Sequence, residues 1–179
     1  MDGSAHAADL LRDVFDKLGF SNVQVVNDGY EGIQAMKRKS VHLIFTDSEL
    51  RVRKRSPLHG ELPSPDTALS GTEFVRRLRH SPRSPNPFVP VVMVVDPNER
   101  GSSDDARSAG VNETVTKPLQ AEDLCRQIMH LIDDPRYFIT ADTYKGPCRR
   151  NETGSPPADI TERRTRQVRL VRRKEFRSV

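Results

Sequence analysis

The sequence has no tryptophan, only two cysteines and no long apolar segment. Cys125 and Cys148 are too few and too far apart for a disulfide framework or a zinc site, so we expect two free thiols. No apolar run approaches the roughly 18–20 residues that span a bilayer. Residues 5–20 alternate charged with apolar side chains, unlike a signal peptide. These absences predict a cytoplasmic protein without membrane insertion.

Hydrophobic residues are also scarce, and charge is distributed unevenly. They make up 35% of the chain, against about 45–50% in a typical globular domain. Residues 145–179 contain eleven Lys/Arg and four Asp/Glu, a net charge of +7, which leaves −3 of the total of +4 for residues 1–144. A mildly acidic folded body is therefore predicted to precede a basic tail.

Apolar spacing predicts strands that alternate with helices. Helices are expected over 5–18, 30–39, 71–80, 102–109 and 120–132, and strands over 23–26, 41–46, 89–95 and 113–116. This order is typical of βαβ units around a parallel sheet. We predict one domain over 1–134, interrupted by a Pro-rich and Arg-rich loop insertion at 50–70, and a disordered tail over 135–179.

Two charged residues follow predicted strands directly. Asp47 comes after VHLIFT, and Lys117 comes after Glu113–Thr116. Ligand chemistry in parallel sheets lies beyond the carboxyl ends of the strands, so both residues are expected at the same edge. An aspartate there serves as a phosphate acceptor, a metal ligand or a helix cap. A lysine ammonium there can act as a point charge on a phosphoryl group.

Four fragments in order resemble the response-regulator receiver family: DGYEGIQAMKRKSVHLIFTD, LSGTEFVRRLR, VPVVMVV and AGVNETVTKP. The resemblance runs from residue 1 to about 134. It implies a CheY-like, flavodoxin-like α/β fold, a doubly wound parallel sheet with strand order 2-1-3-4-5. It also implies a phosphorelay role, with a sensor histidine kinase or phosphotransfer protein as the phosphate donor.

The resemblance assigns roles to particular residues. Asp47 matches the phosphoacceptor and Lys117 the lysine that contacts the phosphoryl group. Mg²⁺ would be held by Asp2, by Asp47 and by the backbone carbonyl of Glu49. Gly71 matches the glycine that opens the third helix.

The sequence departs from the family pattern around this site. Gly3 replaces the second acidic residue, Val95 replaces the switch Ser/Thr and Thr114 replaces the switch aromatic. Asp96 either adds negative charge near the site or caps the following turn. These changes predict weak Mg²⁺ binding and a weakened conformational response to phosphorylation. The first strand of the family is expected to be truncated, because the sequence starts where that strand would end.

The leading hypothesis is therefore a stand-alone receiver that accepts a phosphoryl group on Asp47 and modulates protein partners. One alternative is a degenerate receiver that binds partners without phosphorylation. Another is a binder of nucleic acid or an anionic surface through the eight Lys/Arg of 163–177, which the absence of interleaved aromatic residues disfavours. An enzyme is least favoured, because no nucleophile–base pair or cofactor loop is recognisable. The segment Tyr144–Arg150 resembles a Tyr-x-Gly-Pro-x-Arg-Arg element found in tails of stand-alone receivers.

Overall fold

The structure is a computed structural model that describes residues 3–20, 22–50, 70–99, 101–133, 136–141, 143–148 and 169–171. The helices are α1 (Gly3–Lys17), α2 (Gly29–Arg38), α3 (Gly71–His80), α4 (Ser102–Ala109) and α5 (Ala121–Asp133). The strands are β1 (Ile44–Asp47), β2 (Val91–Val95), β3 (Glu113–Thr116), β4 (Phe138–Ala141), β5 (Tyr144–Pro147) and β6 (Arg169–Val171). In the described part of the chain, no helix is both long and apolar enough to cross a membrane.

The first three strands form a parallel sheet in the order β1-β2-β3. Asp47 pairs in register with Val94, and Val95 pairs with Thr116, so the three strands end at nearly the same level. Every residue of β2 is buried, as expected for a central strand with helices on both faces. This sheet places the residues that follow β1, β2 and β3 side by side at one edge.

Alternating side chains of β2 divide the core into two layers. Val91, Met93 and Val95 belong to a cluster with residues of α2, α3 and α4, including Phe74. Val92 points to the opposite face and packs with residues of α1 and α5. The period of two residues along a strand therefore produces a doubly wound α/β arrangement.

Local sequence signals account for the helix boundaries. Asp28 caps α2 by accepting a hydrogen bond from the amide of Glu31 at 2.8 Å. Ser70 caps α3 in the same way, through the amide of Glu73 at 3.2 Å. Oxygen-bearing side chains at these positions satisfy amides that have no partner within the helix. Gly110 ends α4 with φ +94°, a conformation that other residues rarely adopt.

The predicted strand at Val23–Val26 is wrong. Residues 22–26 belong to no strand, and Val23, Val25 and Val26 are 38%, 48% and 37% exposed. A short apolar segment becomes a strand only where a neighbouring strand pairs with its backbone groups. In the order 2-1-3-4-5 that neighbour is the first strand, and no such strand occurs among the described residues. The described parallel sheet therefore has three strands.

The predicted disordered tail from residue 135 onward is also wrong for residues 136–141, 143–148 and 169–171. β4 and β5 form an antiparallel hairpin, and β6 pairs with the other edge of β4. Phe138 is 4% exposed and Cys148 is 8% exposed. Four- and three-residue strands with few apolar side chains give little periodicity, so the sequence pattern did not indicate them. The remainder of the predicted tail, residues 135, 142, 149–168 and 172–179, lies outside the described residues.

Candidate functional site

The carboxyl edge of the parallel sheet brings Asp47 and Lys117 into direct contact. Nζ of Lys117 lies 2.8 Å from Oδ2 of Asp47, and the two side chains are 38% and 35% exposed. Asp47 is the last residue of β1, and Lys117 follows the last residue of β3. Both groups thus lie at the ends of the two strands that flank β2, and both remain open to solvent. A carboxylate oxygen beside an ammonium group is a suitable acceptor for an incoming phosphoryl group, whose charge the lysine can offset.

Main-chain hydrogen bonds hold the two residues at this distance. The amide of Ser48, directly after Asp47, donates to the carbonyl oxygen of Val94 at 2.8 Å. The amide of Lys117 donates to the carbonyl oxygen of Val95 at 3.0 Å. Both sides of the site are therefore anchored to the end of the fully buried strand β2. The peptide bond between Lys117 and Pro118 is cis.

The segment after Asp47 turns back over the site. The amide of Glu49 donates to Oδ1 of Asp47 at 3.0 Å. The amide of Gly71 donates to the carbonyl oxygen of Ser48 at 2.9 Å, which brings the start of α3 against this turn. A Cβ atom at residue 71 would clash with the carbonyl oxygen of Asp47. Glycine at this position is required because the backbone of α3 approaches Asp47 so closely.

The carboxylate of Asp96 forms hydrogen bonds within the turn that follows β2. Its Oδ1 accepts hydrogen bonds from the backbone amide of Asn98 at 2.8 Å and from Nδ2 of Asn98 at 3.0 Å. An aspartate that bonds two residues ahead forms an Asx turn. Of the two interpretations of Asp96, the geometry supports the turn cap.

The two predicted switch positions hold a side chain without a hydroxyl, Val95, and a side chain without an aromatic ring, Thr114. Val95 is 1% exposed and belongs to the core cluster of α2, α3 and α4. Thr114 is half-buried in β3, where it pairs with Met93. An isopropyl group packed in the core has no donor or acceptor to offer the site.

Within the described residues, no three His, Cys, Asp or Glu side chains gather as a metal site. Asp2 lies outside the described residues, as do residues 51–69 of the predicted loop insertion, so the predicted acidic partner of Asp47 has no described position. The described donors are the Asp47 carboxylate and the Glu49 main-chain carbonyl. This donor set fits Mg²⁺, which commonly binds one or two carboxylates and several waters.

One prominent buried residue was not recognised as such from the sequence. Arg79 is 0% exposed, and desolvation lowers its pKa from the ordinary value to about 9, a shift that the nearby Tyr144 partly opposes. A guanidinium nevertheless keeps its proton at neutral pH. Its helical spacing could have indicated burial, because Arg79 lies on the same face of α3 as Phe74, Val75 and Leu78.

Several solved structures with a similar architecture are receiver domains. The receiver domain of NtrX from Brucella abortus has a TM-score of 0.57 at 17% identity, covering 74% of this chain and 94% of its own. CheY4 of Vibrio cholerae has a TM-score of 0.55 at 19% identity, with coverages of 72% and 92%. The chain has the receiver-domain fold.

A third solved structure contains a bound metal ion. The receiver domain of the sensor histidine kinase PA1611 from Pseudomonas aeruginosa has a TM-score of 0.53 at 21% identity, with coverages of 70% and 88%. It was solved with a magnesium ion coordinated in its active-site cleft. No family model and no curated protein matches the sequence. The similarity to these receiver domains is therefore one of structure, at sequence identities of 17–21%.

Proposed function

We propose that this protein is a response-regulator receiver of a two-component phosphorelay, with Asp47 as the phosphoacceptor. The observation that supports this most directly is the 2.8 Å contact between Lys117 Nζ and Asp47 Oδ2 at the carboxyl edge of the sheet. The donor would be a phosphohistidine of a sensor histidine kinase or phosphotransfer protein. The receiver would then modulate a protein partner in the cytoplasm.

In the proposed reaction, a carboxylate oxygen of Asp47 attacks the phosphorus atom of the phosphohistidine. The phosphorus–nitrogen bond breaks, the imidazole leaves and takes up a proton, and an acyl phosphate forms on Asp47. Lys117 keeps an ammonium beside the new phosphoryl oxygens, where it offsets their charge. The Glu49 amide holds the other carboxylate oxygen in place at 3.0 Å.

A bound Mg²⁺ would neutralise charge on the transferring phosphoryl group. We propose that Asp47, the Glu49 carbonyl and Asp2 would hold it, and that its affinity is low because Gly3 supplies no carboxylate.

The experiment is phosphate incorporation from labelled acetyl phosphate with Mg²⁺, followed by incorporation from a phosphorylated histidine kinase domain. Asp47→Asn should abolish labelling. Asp96→Asn is the matched control, since it removes a nearby carboxylate that serves a turn, and it should be labelled like the unaltered protein. Equal labelling of Asp47→Asn would refute the assignment of Asp47.

A second candidate function is a degenerate receiver that binds its partner without phosphorylation. Val95 favours it, because a side chain without a hydroxyl cannot pull the following loop toward a phosphoryl group. A ligand shifts a conformational equilibrium only through contacts that differ between the states. Amide chemical shifts recorded with beryllofluoride and Mg²⁺ distinguish the candidates. Changes confined to the surroundings of Asp47 and Lys117 support the degenerate receiver, and changes spreading through 111–127 support the phosphorylation switch.

A further inference from the structure

The segment that enters the C-terminal hairpin, β4 with β5, is attached to the first residue of β3. Nη2 of Arg136, just before β4, lies 2.6 Å from Oε1 of Glu113, with side chains 24% and 15% exposed. Nη2 of Arg79 donates to Oδ1 of Asn112 at 3.2 Å. Two guanidinium groups therefore hold neighbouring residues at the start of β3. Partly buried charge-assisted contacts of this kind are stronger than exposed ones.

Arg79 connects the hairpin to the loops that enter β2 and β3. Its Nε donates to the carbonyl oxygen of Gly110 at 3.0 Å, and its Nη1 donates to those of Pro87 and Val89 at 2.7 and 2.8 Å. Its Cζ also lies 4.9 Å from the centre of the Phe138 ring. The guanidinium is thus covered by the first residue of β4, and its donors bind the body of the domain.

The Tyr-x-Gly-Pro element of β5 makes close backbone contact with the same region. A Cβ on Gly146 would lie 2.7 Å from Cα of Gly110, and a Cβ on Gly110 would lie 2.5 Å from the carbonyl oxygen of Lys145. The hydroxyl of Tyr144 donates to the carbonyl oxygen of Pro147 at 2.9 Å, which folds the ring over its own strand. The glycine of this element is explained by the approach of two backbones.

The start of β3 is only one short strand away from the proposed phosphorylation site. The main-chain amide of Asn112 donates to Val91 O at 2.9 Å, and Asn112 Oδ1 accepts from the amide of Val91 at 3.0 Å. β3 then spans four residues, about 13 Å at the usual rise of a strand, and is followed by Lys117. Lys117 therefore lies only four residues beyond Glu113, the residue that Arg136 binds.

We propose that the C-terminal hairpin is a control element for the Asp47–Lys117 pair. While the hairpin is docked, Arg136 holds the start of β3, Phe138 covers the guanidinium of Arg79 that binds Asn112, and Lys117 stays within reach of Asp47. When it is released, β3 loosens against β2 and the pair separates more often. Arg79 and Arg136 are positioning residues in this arrangement. The regulatory consequence rests on the proposed function of Asp47, whereas the mechanical coupling can be measured without phosphorylation.

Amide hydrogen exchange measures this coupling at single residues. The Lys117 amide bonds β3 to β2 through Val95, and the Ser48 amide bonds β1 to β2 through Val94. In Arg136→Gln, exchange at Lys117 should become about tenfold faster, and exchange at Ser48 should be unchanged. Arg136→Lys should restore most of the protection. The control is Arg126→Gln, which removes the same charge from an ion pair with Asp123 on α5, where the Arg126 side chain is 70% exposed.

The rate of phosphate incorporation is the second readout. The proposal is supported if Arg136→Gln exchanges faster at Lys117 but not at Ser48 and also incorporates phosphate more slowly. Unchanged exchange at Lys117, or acceleration of Lys117 and Ser48 alike, overturns it, since the hairpin would then have no specific effect on β3. If the unaltered protein incorporates no phosphate, the proposed function fails, and the exchange data still decide whether the hairpin controls β3.

Discussion

Gly71 lies directly against the main-chain carbonyl of Asp47, so that the start of α3 and the end of β1 touch without any side chain between them. The amide of Gly71 donates to Ser48 at 2.9 Å, which fixes this contact. The position of the candidate phosphoacceptor therefore depends on the absence of a single Cβ atom. The proximity of two backbones links the packing of α3 to the geometry of the site.

Gly71→Ala should consequently destabilise the protein. The added methyl group must displace backbone, and overpacking of this kind typically costs about 1–3 kcal/mol. Chemical denaturation measures the loss. Gly32→Ala is the matched control, because its Cβ would meet the Phe74 ring at an ordinary 3.4 Å within a helix that favours alanine. A Gly71→Ala protein as stable as Gly32→Ala would show that the close contact does not exist.

Arg79→Met should be among the most destabilising single substitutions. It leaves the carbonyl oxygens of Gly110, Pro87 and Val89 without the donors they have in the structure. Unsatisfied buried acceptors cost about 1–3 kcal/mol each before relaxation, so we expect a loss of about 3–5 kcal/mol. Arg76→Met, on the exposed face of α3, should change the free energy of unfolding by less than about 0.5 kcal/mol. A loss for Arg79→Met as small as that of Arg76→Met would refute this account of the buried guanidinium.

Removal of the hairpin should also destabilise the domain, contrary to what the sequence indicates. A protein ending at Asp133 loses the buried Phe138 ring, which packs edge-to-face on Phe88 at 5.6 Å between centroids. Burial of one such ring contributes about 1.5–3 kcal/mol, so the melting temperature should fall by roughly 5–10 °C. A protein ending at Cys148 retains the hairpin and should melt closer to the full chain. Equal melting temperatures for all three proteins would contradict the docked hairpin.

His80 reports on hairpin docking through its titration. Partial burial lowers the pKa of His80, and the positive charge of Lys145 on β5 lowers it further. Because the unfolded protein binds this proton more tightly, the stability contributed by neutral His80 is lost as the pH falls from about 6.5 through the folded pKa. Lys145→Gln should therefore raise the pKa of His80, as followed by its imidazole NMR signals. Lys17→Gln on α1, across the sheet, should leave it unchanged. If Lys145→Gln and the unaltered protein gave the same His80 titration curve, β5 would not lie against α3.

Much of the helical layer and the central strand could be predicted from the sequence. The helices 71–80 and 102–109 and the strand 113–116 have the predicted bounds, because caps and apolar spacing act locally there. The proximity of Asp47 and Lys117 followed from a rule about parallel sheets, and their chemical roles remain predictions. The predicted strand at 23–26 is wrong, because a strand forms only beside a partner strand, which the local sequence does not reveal. The hairpin was missed because Arg79, Gly110 and Gly146 meet only in the folded chain.

The central claim, that Asp47 accepts the phosphoryl group, is tested most directly by chemical mapping of the acyl phosphate. The protein is phosphorylated by acetyl phosphate or a histidine kinase, reduced with borohydride, digested and sequenced by mass spectrometry. Borohydride converts a phosphorylated aspartate to homoserine and leaves unmodified aspartates intact. Homoserine is expected at position 47 alone, and none is expected in Asp47→Asn. Homoserine at Asp96 or another aspartate, or none at position 47, would contradict it.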